Sequence, residues 1–272
     1  MKKTLLLGSL LAASLNAQDA LGQYANFVIE SPSHNVETLK SNKKMLKVGM
    51  QYFYDSADNL DTQLINIPIQ ALIAKNIYLE ASLPFKFVSY TGGSDSGLSD
   101  IMIGAGYTFG AIEEGESLHV LGLRYNLDNG DETHTLGALS SSIDFYWDTV
   151  GKMSDYTIST GLLFNYGFGY SVVEAGFNSS LLSLGIGHKC LLTEALQTNA
   201  ILSWYTHYSD TTVLGDIPGT GYDLVDLTLK WDLLTIKETP ISFGAKIPLY
   251  GTEYNGSDRK SFTFFVSAAG LF

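Results

Sequence analysis

Ile77-Tyr78-Leu79-Glu80-Ala81-Ser82-Leu83-Pro84-Phe85-Lys86-Phe87 carries an apolar side chain at every odd position, and Glu80, Ser82 and Lys86 stand between them. A period of two is that of an extended strand whose successive side chains point to opposite faces. The same alternation appears upstream in Leu46, Val48, Met50, Tyr52 and Tyr54, and in Ile65, Ile67, Ile69, Ala71 and Ile73. Downstream it returns in Ile101, Ile103, Ala105, Tyr107 and Phe109, after a Gly/Ser-rich stretch (Thr91–Gly97) that reads as a loop. It recurs along the rest of the chain to Phe262, Phe264, Val266, Ala268 and Phe272. The count is about twelve strands of about ten residues, long enough to cross a bilayer at a tilt, and an even number returns the chain to its starting side.

A soluble sandwich or lipocalin-like barrel also alternates, with its apolar face inside. The polar face discriminates between the two. A soluble sheet of this size would carry many Lys and Glu there, whereas this chain offers mainly Gly, Ser, Thr and Asn with scattered charges. Aromatic residues gather at strand ends (Tyr52 and Tyr54, Phe85 and Phe87, Tyr107 and Phe109), as an interfacial girdle requires. The links after even-numbered strands are short or compact, among them Lys75-Asn76 and Gly151 to Asp155. Those after odd-numbered strands, such as Asp128 to Leu136 and Gly251 to Lys260, are longer and richer in Asp, Gly and Ser. Short periplasmic turns opposite longer external loops are the asymmetry of an outer-membrane barrel.

Composition agrees. The 272 residues include 27 Gly, 16 Tyr, 14 Phe and 3 Trp, with 16 basic against 28 acidic groups and a single cysteine, Cys190. A net charge of −12 opposes nucleic-acid binding, which needs basic surface to neutralise phosphates. One cysteine excludes a disulfide framework within the chain and any multi-cysteine metal site. The amino terminus has Lys2 and Lys3, an apolar run with five leucines between Leu5 and Leu11, and small residues up to Ala17. These are the parts of a secretory signal peptide cleaved after Ala17. Residues 18–44 precede the first clear strand and are mixed, with Pro32, Ser33 and a polar run from Val36 to Lys44. They read as a periplasmic tail, a lumen plug or half of an extra hairpin. The barrel itself is assigned to 45–272. The chain ends at Phe272 within its last strand, which resembles the terminal aromatic signal read by the barrel-assembly machinery.

Polar parity assigns a set of ionisable residues to the lumen: Lys47, Glu80, Lys86, Asp100, Arg124, Asp144, Asp148, Asp226, Lys230, Asp232 and Lys246. Near-balance of sign fits either a paired network filling the barrel or a narrow polar path for a small solute. His207 and Ser209, two apart at the end of the ninth strand, share one face and resemble the His-x-Ser pair of outer-membrane lipid A deacylases and phospholipases. The orienting Asn or Glu is missing downstream, where Asp216, Gly221 and Asp223 stand. His34, His119, His134 and His188 have no metal-ligand spacing. Asp55, Asp58 and Asp61, with Asp128, Asp131 and Glu132, read as solvated loop charge rather than cation sites.

Leu83-Pro84-Phe85 followed by Ser96-Gly97-Leu98-Ser99-Asp100-Ile101-Met102-Ile103-Gly104-Ala105-Gly106-Tyr107 resembles a group of outer-membrane barrels labelled for the meta-cleavage pathway of phenol degradation. These are loosely related to fatty-acid and aromatic-hydrocarbon channels. The group has a Leu-Pro-aromatic strand end and a Gly-Leu-Gly-Asp strand start, and Ser99 here replaces the second Gly. Gly97 is expected at the positive φ of an external turn. Asp100 is expected to pair with Lys86 or meet a solute, and Gly104 and Gly106 to clear the bore beneath it.

The expectation is an all-β, transmembrane antiparallel β-barrel of about twelve strands behind a cleaved signal peptide. It lies in outer-membrane lipid and lipopolysaccharide, passes a small hydrophobic or aromatic solute passively, and uses no cofactor, metal or enzymatic step. Two other classes fit the pattern: a lipid-modifying esterase using His207 and Ser209, and a structural or surface-interaction barrel with a filled lumen.

Overall fold

Alternation becomes a closed wall in the computed structural model, which describes residues 31–57, 60–90, 92–111, 113–127, 129–130, 141–168, 176–190, 195–207, 211–212, 215–216, 222–234, 239–251 and 262–272. A helix, α1 (Pro32–Ser41), leads into β1 (Leu46–Ala57), β2 (Leu60–Ala74), β3 (Ile77–Tyr90), β4 (Gly93–Leu98), β5 (Met102–Gly110) and β6 (Ser117–Asn126). Then come β7 (Ser141–Met153), β8 (Tyr156–Phe168), β9 (Gly176–Cys190) and β10 (Leu196–His207). The small hairpin β11 (Thr211–Thr212) and β12 (Gly215–Asp216) precedes β13 (Tyr222–Leu233), β14 (Ile241–Gly251) and β15 (Phe262–Leu271).

Every pairing in the main sheet is antiparallel, strands follow one another round it in chain order with β3 meeting both β4 and β5 and β10 meeting β13, and β1 pairs with β15 to close it. The sheet has thirteen strands, of which β4 and β5 are two halves of one stave against β3, so the barrel has twelve staves. Closure removes the free edges that lipid would not tolerate. The seam is tied at the chain end. The Phe272 carbonyl accepts from the Met45 and Leu46 amides at 2.9 and 3.0 Å, and the Phe272 amide donates to the Leu46 carbonyl at 2.8 Å.

The outward face is the apolar set read from the sequence, including Leu79, Leu83, Ile103, Leu121, Phe145, Trp147, Leu184 and Val266, all well exposed. Each such side chain facing water would forgo about 1.5–3 kcal/mol, so the face needs an apolar solvent. Aromatic rings rim it at both ends. Phe85 and Phe87 lie 5.1 Å apart near the loop end. At the short-turn end Tyr107, Phe109, His119 and Trp147 form a chain with centroid spacings of 6.4, 4.8 and 6.2 Å. Such rings suit the boundary between acyl chains and headgroups.

Two local expectations are corrected. Most of the Gly/Ser-rich stretch read as a loop forms β4, which extends the hairpin with β3 through Phe85↔Leu98 to Tyr90↔Gly93. Gly97 is extended within it. The positive φ of that turn falls on Gly92, at 115°. Register explains both, because β3 runs on to Tyr90 and moves the reversal outward to residues 91–92.

Candidate functional site

Nine of the predicted lumen charges, Lys47, Glu80, Lys86, Arg124, Asp144, Asp148, Asp226, Lys230 and Lys246, occupy strand positions that alternate with less buried, mostly apolar residues. Asp100 lies at the junction between β4 and β5. All ten are only 1–9% exposed. An open aqueous bore would leave such groups wetted. Here the interior packs against itself, with α1 occupying the end nearest the short turns.

The sequence of α1 explains its seat. Pro32 at the first helical positions supplies a fixed φ and lacks an N–H that would have no partner there. The Ser31 side chain caps no backbone amide of the helix, and its hydroxyl instead lies 2.9 Å from His34 Nδ1. The barrel supplies the cap: Asp148 Oδ2, from β7, accepts the Ser33 amide at 2.7 Å in a buried setting. A carboxylate at a helix N-terminus both satisfies a free N–H and complements the positive end of the dipole. At the other end Lys43 takes a left-handed φ of 55°. Its amide reaches the Lys40 carbonyl and the Lys44 amide the Leu39 carbonyl, at 3.1 and 2.9 Å, a Schellman closure.

Along its sides, Val36 and Leu39 are fully buried in a cluster with Leu72, Tyr78, Leu118, Val120, Tyr146 and Val150, drawn from β2, β3, β6 and β7. Polar ties ring the helix: Lys47 Nζ donates to Asn35 Oδ1 at 2.9 Å, Lys40 Nζ to Thr108 Oγ1 at 3.2 Å, and Lys152 Nζ stands 3.3 Å from Glu37 Oε1. Of residues 18–44, α1 is seated in the short-turn end of the barrel, Ser41 and Lys43 are exposed at its mouth, and residues 18–30 lie outside the described set.

Above the helix, Arg124 donates through Nε and an Nη to the two Glu80 carboxylate oxygens at 2.8 and 3.1 Å. Its guanidinium also lies over the Tyr146 ring, 4.6 Å from the centroid. A bidentate pair with its remaining surface on an aromatic face is well compensated for burial. The glycines expected to clear the bore make room for this cluster instead. A Cβ on Gly104 would come within 2.9 Å of Glu80 Cγ and 3.0 Å of Arg124 Cγ, and one on Gly106 within 2.9 Å of the Tyr146 hydroxyl.

Farther round the wall Asp232 Oδ1 accepts Ser242 Oγ at 2.6 Å and meets Lys230 Nζ at 3.1 Å, while its Oδ2 accepts Asn199 Nδ2 at 2.7 Å. Asn126 Nδ2 donates to Asp144 Oδ2 at 3.2 Å. Lys86, Asp226 and Lys246 are engaged as well. Asp100 Oδ1 accepts the backbone amides of Gly130 and Asn129 at 2.8 and 3.2 Å, which fastens the break between β4 and β5 to the chain beyond β6. The Ser99 amide, at the position where the resembled group has Gly, donates to the Pro84 carbonyl at 2.9 Å.

With this geometry in hand, the molecule compares with solved structures as follows. An outer-membrane channel from Pseudomonas putida F1 superposes with a TM-score of 0.69 at 12% identity, covering 84% of this chain and 96% of that one. The NanC porin gives 0.54 at 8% identity, covering 83% and 99%. A KdgM porin in complex with disordered oligogalacturonate gives 0.50 at 9% identity, also covering 83% and 99%. The fold is that of outer-membrane barrels. No protein-family model and no curated protein sequence matches the chain.

The remaining candidates separate. His207 closes β10 opposite Tyr222, and Ser209 lies outside the described residues, as do Asp58, Asp128 and His134. Asp55 and Asp61 each accept a hydroxyl, from Thr263 and Ser56, at 2.9 and 2.6 Å. His119 Nδ1 is 2.9 Å from Thr149 Oγ1, and His188 packs on Tyr156 at 4.6 Å. Reading the sequence missed Asn35, Val36 and Leu39 in the helix, and the inward aromatics Tyr78, Tyr146, Phe53 and Phe265. The available signal was Ser31-Pro32 before a polar segment, a helix start too short to stand out.

Proposed function

We propose that the chain is an outer-membrane channel held closed by α1, passing a small solute passively once the helix leaves its seat. The observation that supports it most is the way the helix is fastened. Val36, Leu39 and the buried Pro32 supply its apolar contact, and among the described residues polar ties to Asp148, Lys47, Thr108 and Lys152 add to its hold. Polar ties exchange readily for water, and each is worth only about 0.5–1.5 kcal/mol net, or about 1.5–3 kcal/mol to a charged group.

The solute is small and hydrophobic or aromatic, with a polar group to meet the charged middle of the bore. Phe53, Leu64 and Phe265 form a buried inward cluster nearer the loop end, with the two rings 6.2 Å apart, and this supports the aromatic part of the assignment. In the same reading the first seventeen residues direct export and leave after Ala17, and the short turns face the periplasm. The apolar belt meets lipid and lipopolysaccharide, and the exposed Phe272 is offered to the assembly machinery. The resemblance around Leu83-Pro84-Phe85 and Asp100 favours the phenol-pathway barrels as the relatives to compare first.

A structural barrel with a filled lumen is the second reading, favoured by the burial of the interior charges above the helix. Planar-bilayer conductance and liposome swelling, on the intact chain and on one lacking residues 32–41, separate the two. The channel reading expects conductance to rise on deletion while the barrel keeps its heat-modifiable gel mobility. A folded barrel that is silent in both forms is structural. A measured esterase activity lost in Ser209→Ala would overturn both.

A further inference from the structure

At the short-turn mouth, a pocket of about 550 Å3 opens between the end of α1, the start of β1, the β2–β3 turn and the β5–β6 turn. Its basic lining is Lys40, Lys44 and Lys75, and its apolar lining includes Met45, Leu72 and Ala111. The volume falls within the usual span of small-molecule sites, about 300–1,000 Å3. No acidic side chain lines it, although the chain as a whole carries a net charge of −12. We propose that this pocket binds a soluble amphiphilic anion, a phosphate monoester or dicarboxylate with an apolar body, by seating its head on Lys40, Lys44 and Lys75 and its body on Met45 and Leu72.

Three features of the pocket support this assignment. Lysines near the end of a helix are ordinarily explained by the negative end of its dipole, and Lys40 and Lys44 fit that account. Lys75 does not, because it belongs to the β2–β3 turn, yet it lines the same space. Second, the Lys40 ammonium spends one donor on Thr108 Oγ1 at 3.2 Å, which leaves two for a ligand. Its pKa is lowered from the ordinary lysine value, first by burial and then by the charge of Lys75. Two cations that disfavour each other beside an apolar floor gain by sharing a counter-ion with more than one negative charge. Third, Leu72 is an inward-facing residue of the bore, so the pocket looks into the mouth rather than toward lipid, which favours a soluble ligand over a bilayer headgroup.

The test uses the full chain in phosphatidylcholine nanodiscs, titrated calorimetrically with octyl phosphate, inorganic phosphate and octanol. Saturable binding of octyl phosphate, tighter than either fragment, is expected. Lys40→Gln and Lys75→Gln are each expected to weaken it about three- to tenfold, the range for partly exposed charge pairs that gain some burial. Lys43→Gln, next to the pocket but outside its lining, serves as the control and is expected to leave it unchanged. Equal affinity in the wild type and the Lys40→Gln/Lys75→Gln double variant, with normal heat-modifiable mobility, would overturn the proposal. So would octanol binding as tightly as octyl phosphate, or displacement of octyl phosphate by phosphatidylglycerol in the disc, which would reassign the site to a lipid headgroup.

Discussion

Replacing Asp148 with alanine removes the acceptor that caps α1 and leaves the Ser33 amide without that partner in a fully buried position. Hydrogen bonds to a charged group contribute about 1.5–3 kcal/mol, and an orphaned buried donor costs a similar amount. The cap also complements the helix dipole, a contribution of up to about 2 kcal/mol in partly buried geometry and included in the same measured loss. Taking about 2–3 kcal/mol for the whole change, the population with the helix out of its seat rises about 30- to 150-fold, at tenfold per 1.4 kcal/mol. Asp148→Asn keeps an acceptor and loses the charge, so about 1 kcal/mol and a fivefold rise are expected. A thiol reports this directly. In a Cys190→Ser background, Val36→Cys places a cysteine at a position with no solvent exposure in the closed molecule. Its maleimide labelling rate in liposomes then follows the unseated population, so Asn is expected to fall between wild type and Ala. Equal labelling in all three, with normal heat-modifiable mobility, would show that Asp148 does not hold the helix and would refute the reasoning.

The central pair makes a sharper stability prediction: Glu80→Ala strands Arg124 in the interior and is expected to destabilise the barrel by about 3–5 kcal/mol in urea unfolding from vesicles. Glu80→Leu with Arg124→Met should recover most of that loss. Gly122→Ala puts a Cβ 2.5 Å from the Tyr146 ring and 2.6 Å from the Ala105 carbonyl, so about 1–3 kcal/mol of overpacking is expected in the same assay. Tyr146→Leu should relieve only the ring's share, because the carbonyl contact is backbone. Asp100→Ala frees the amides of Asn129 and Gly130, and hydrogen exchange at those two positions should accelerate while the strand amides of β5 and β6 keep their protection.

The wall was legible because one rule governs it. Lipid on the outside and packed polar groups on the inside impose a period of two, and Ile77, Leu79 and Leu83 against Glu80 and Lys86 state that rule within a dozen residues. The interior was less legible because its packing breaks the rule locally. Tyr78 sits between Ile77 and Leu79, and Val120 beside Leu121, so both faces are apolar where α1 docks. The helix itself is ten residues long, shorter than the roughly 12–15 needed for stability in water. Its fold therefore depends on the cluster around Val36 and Leu39 and on a cap from a residue 115 positions away, Asp148, which no local window contains. Gly104 and Gly106 face inward, as the alternation predicts, but they do not open the bore. Absence of a side chain looks like open space in a sequence, whereas here it accommodates the Glu80–Arg124 pair and the Tyr146 ring.

The packed interior limits where selectivity can reside. A charge that already satisfies a neighbour has little field left for a passing solute. Glu80 holds Arg124, Asp232 holds Lys230, Asp100 holds two backbone amides, and Lys47 and Asp148 hold the helix. Breaking any of these to admit a solute leaves a buried group uncompensated, at a cost of several kcal/mol for an ion pair. The ties to α1 are different in kind, because releasing the helix breaks the contacts to Lys47, Asp148, Thr108 and Lys152 together and wets the space around them. In the proposed channel, unseating would change the charge lining that end of the bore, because Glu37 and Lys40 would leave with the helix while Lys47, Asp148 and Lys152 stay on the wall. On the proposed channel reading, selection by charge would lie at the helix end of the molecule, and the Glu80–Arg124 pair against the Tyr146 ring would remain as a fixed layer above it.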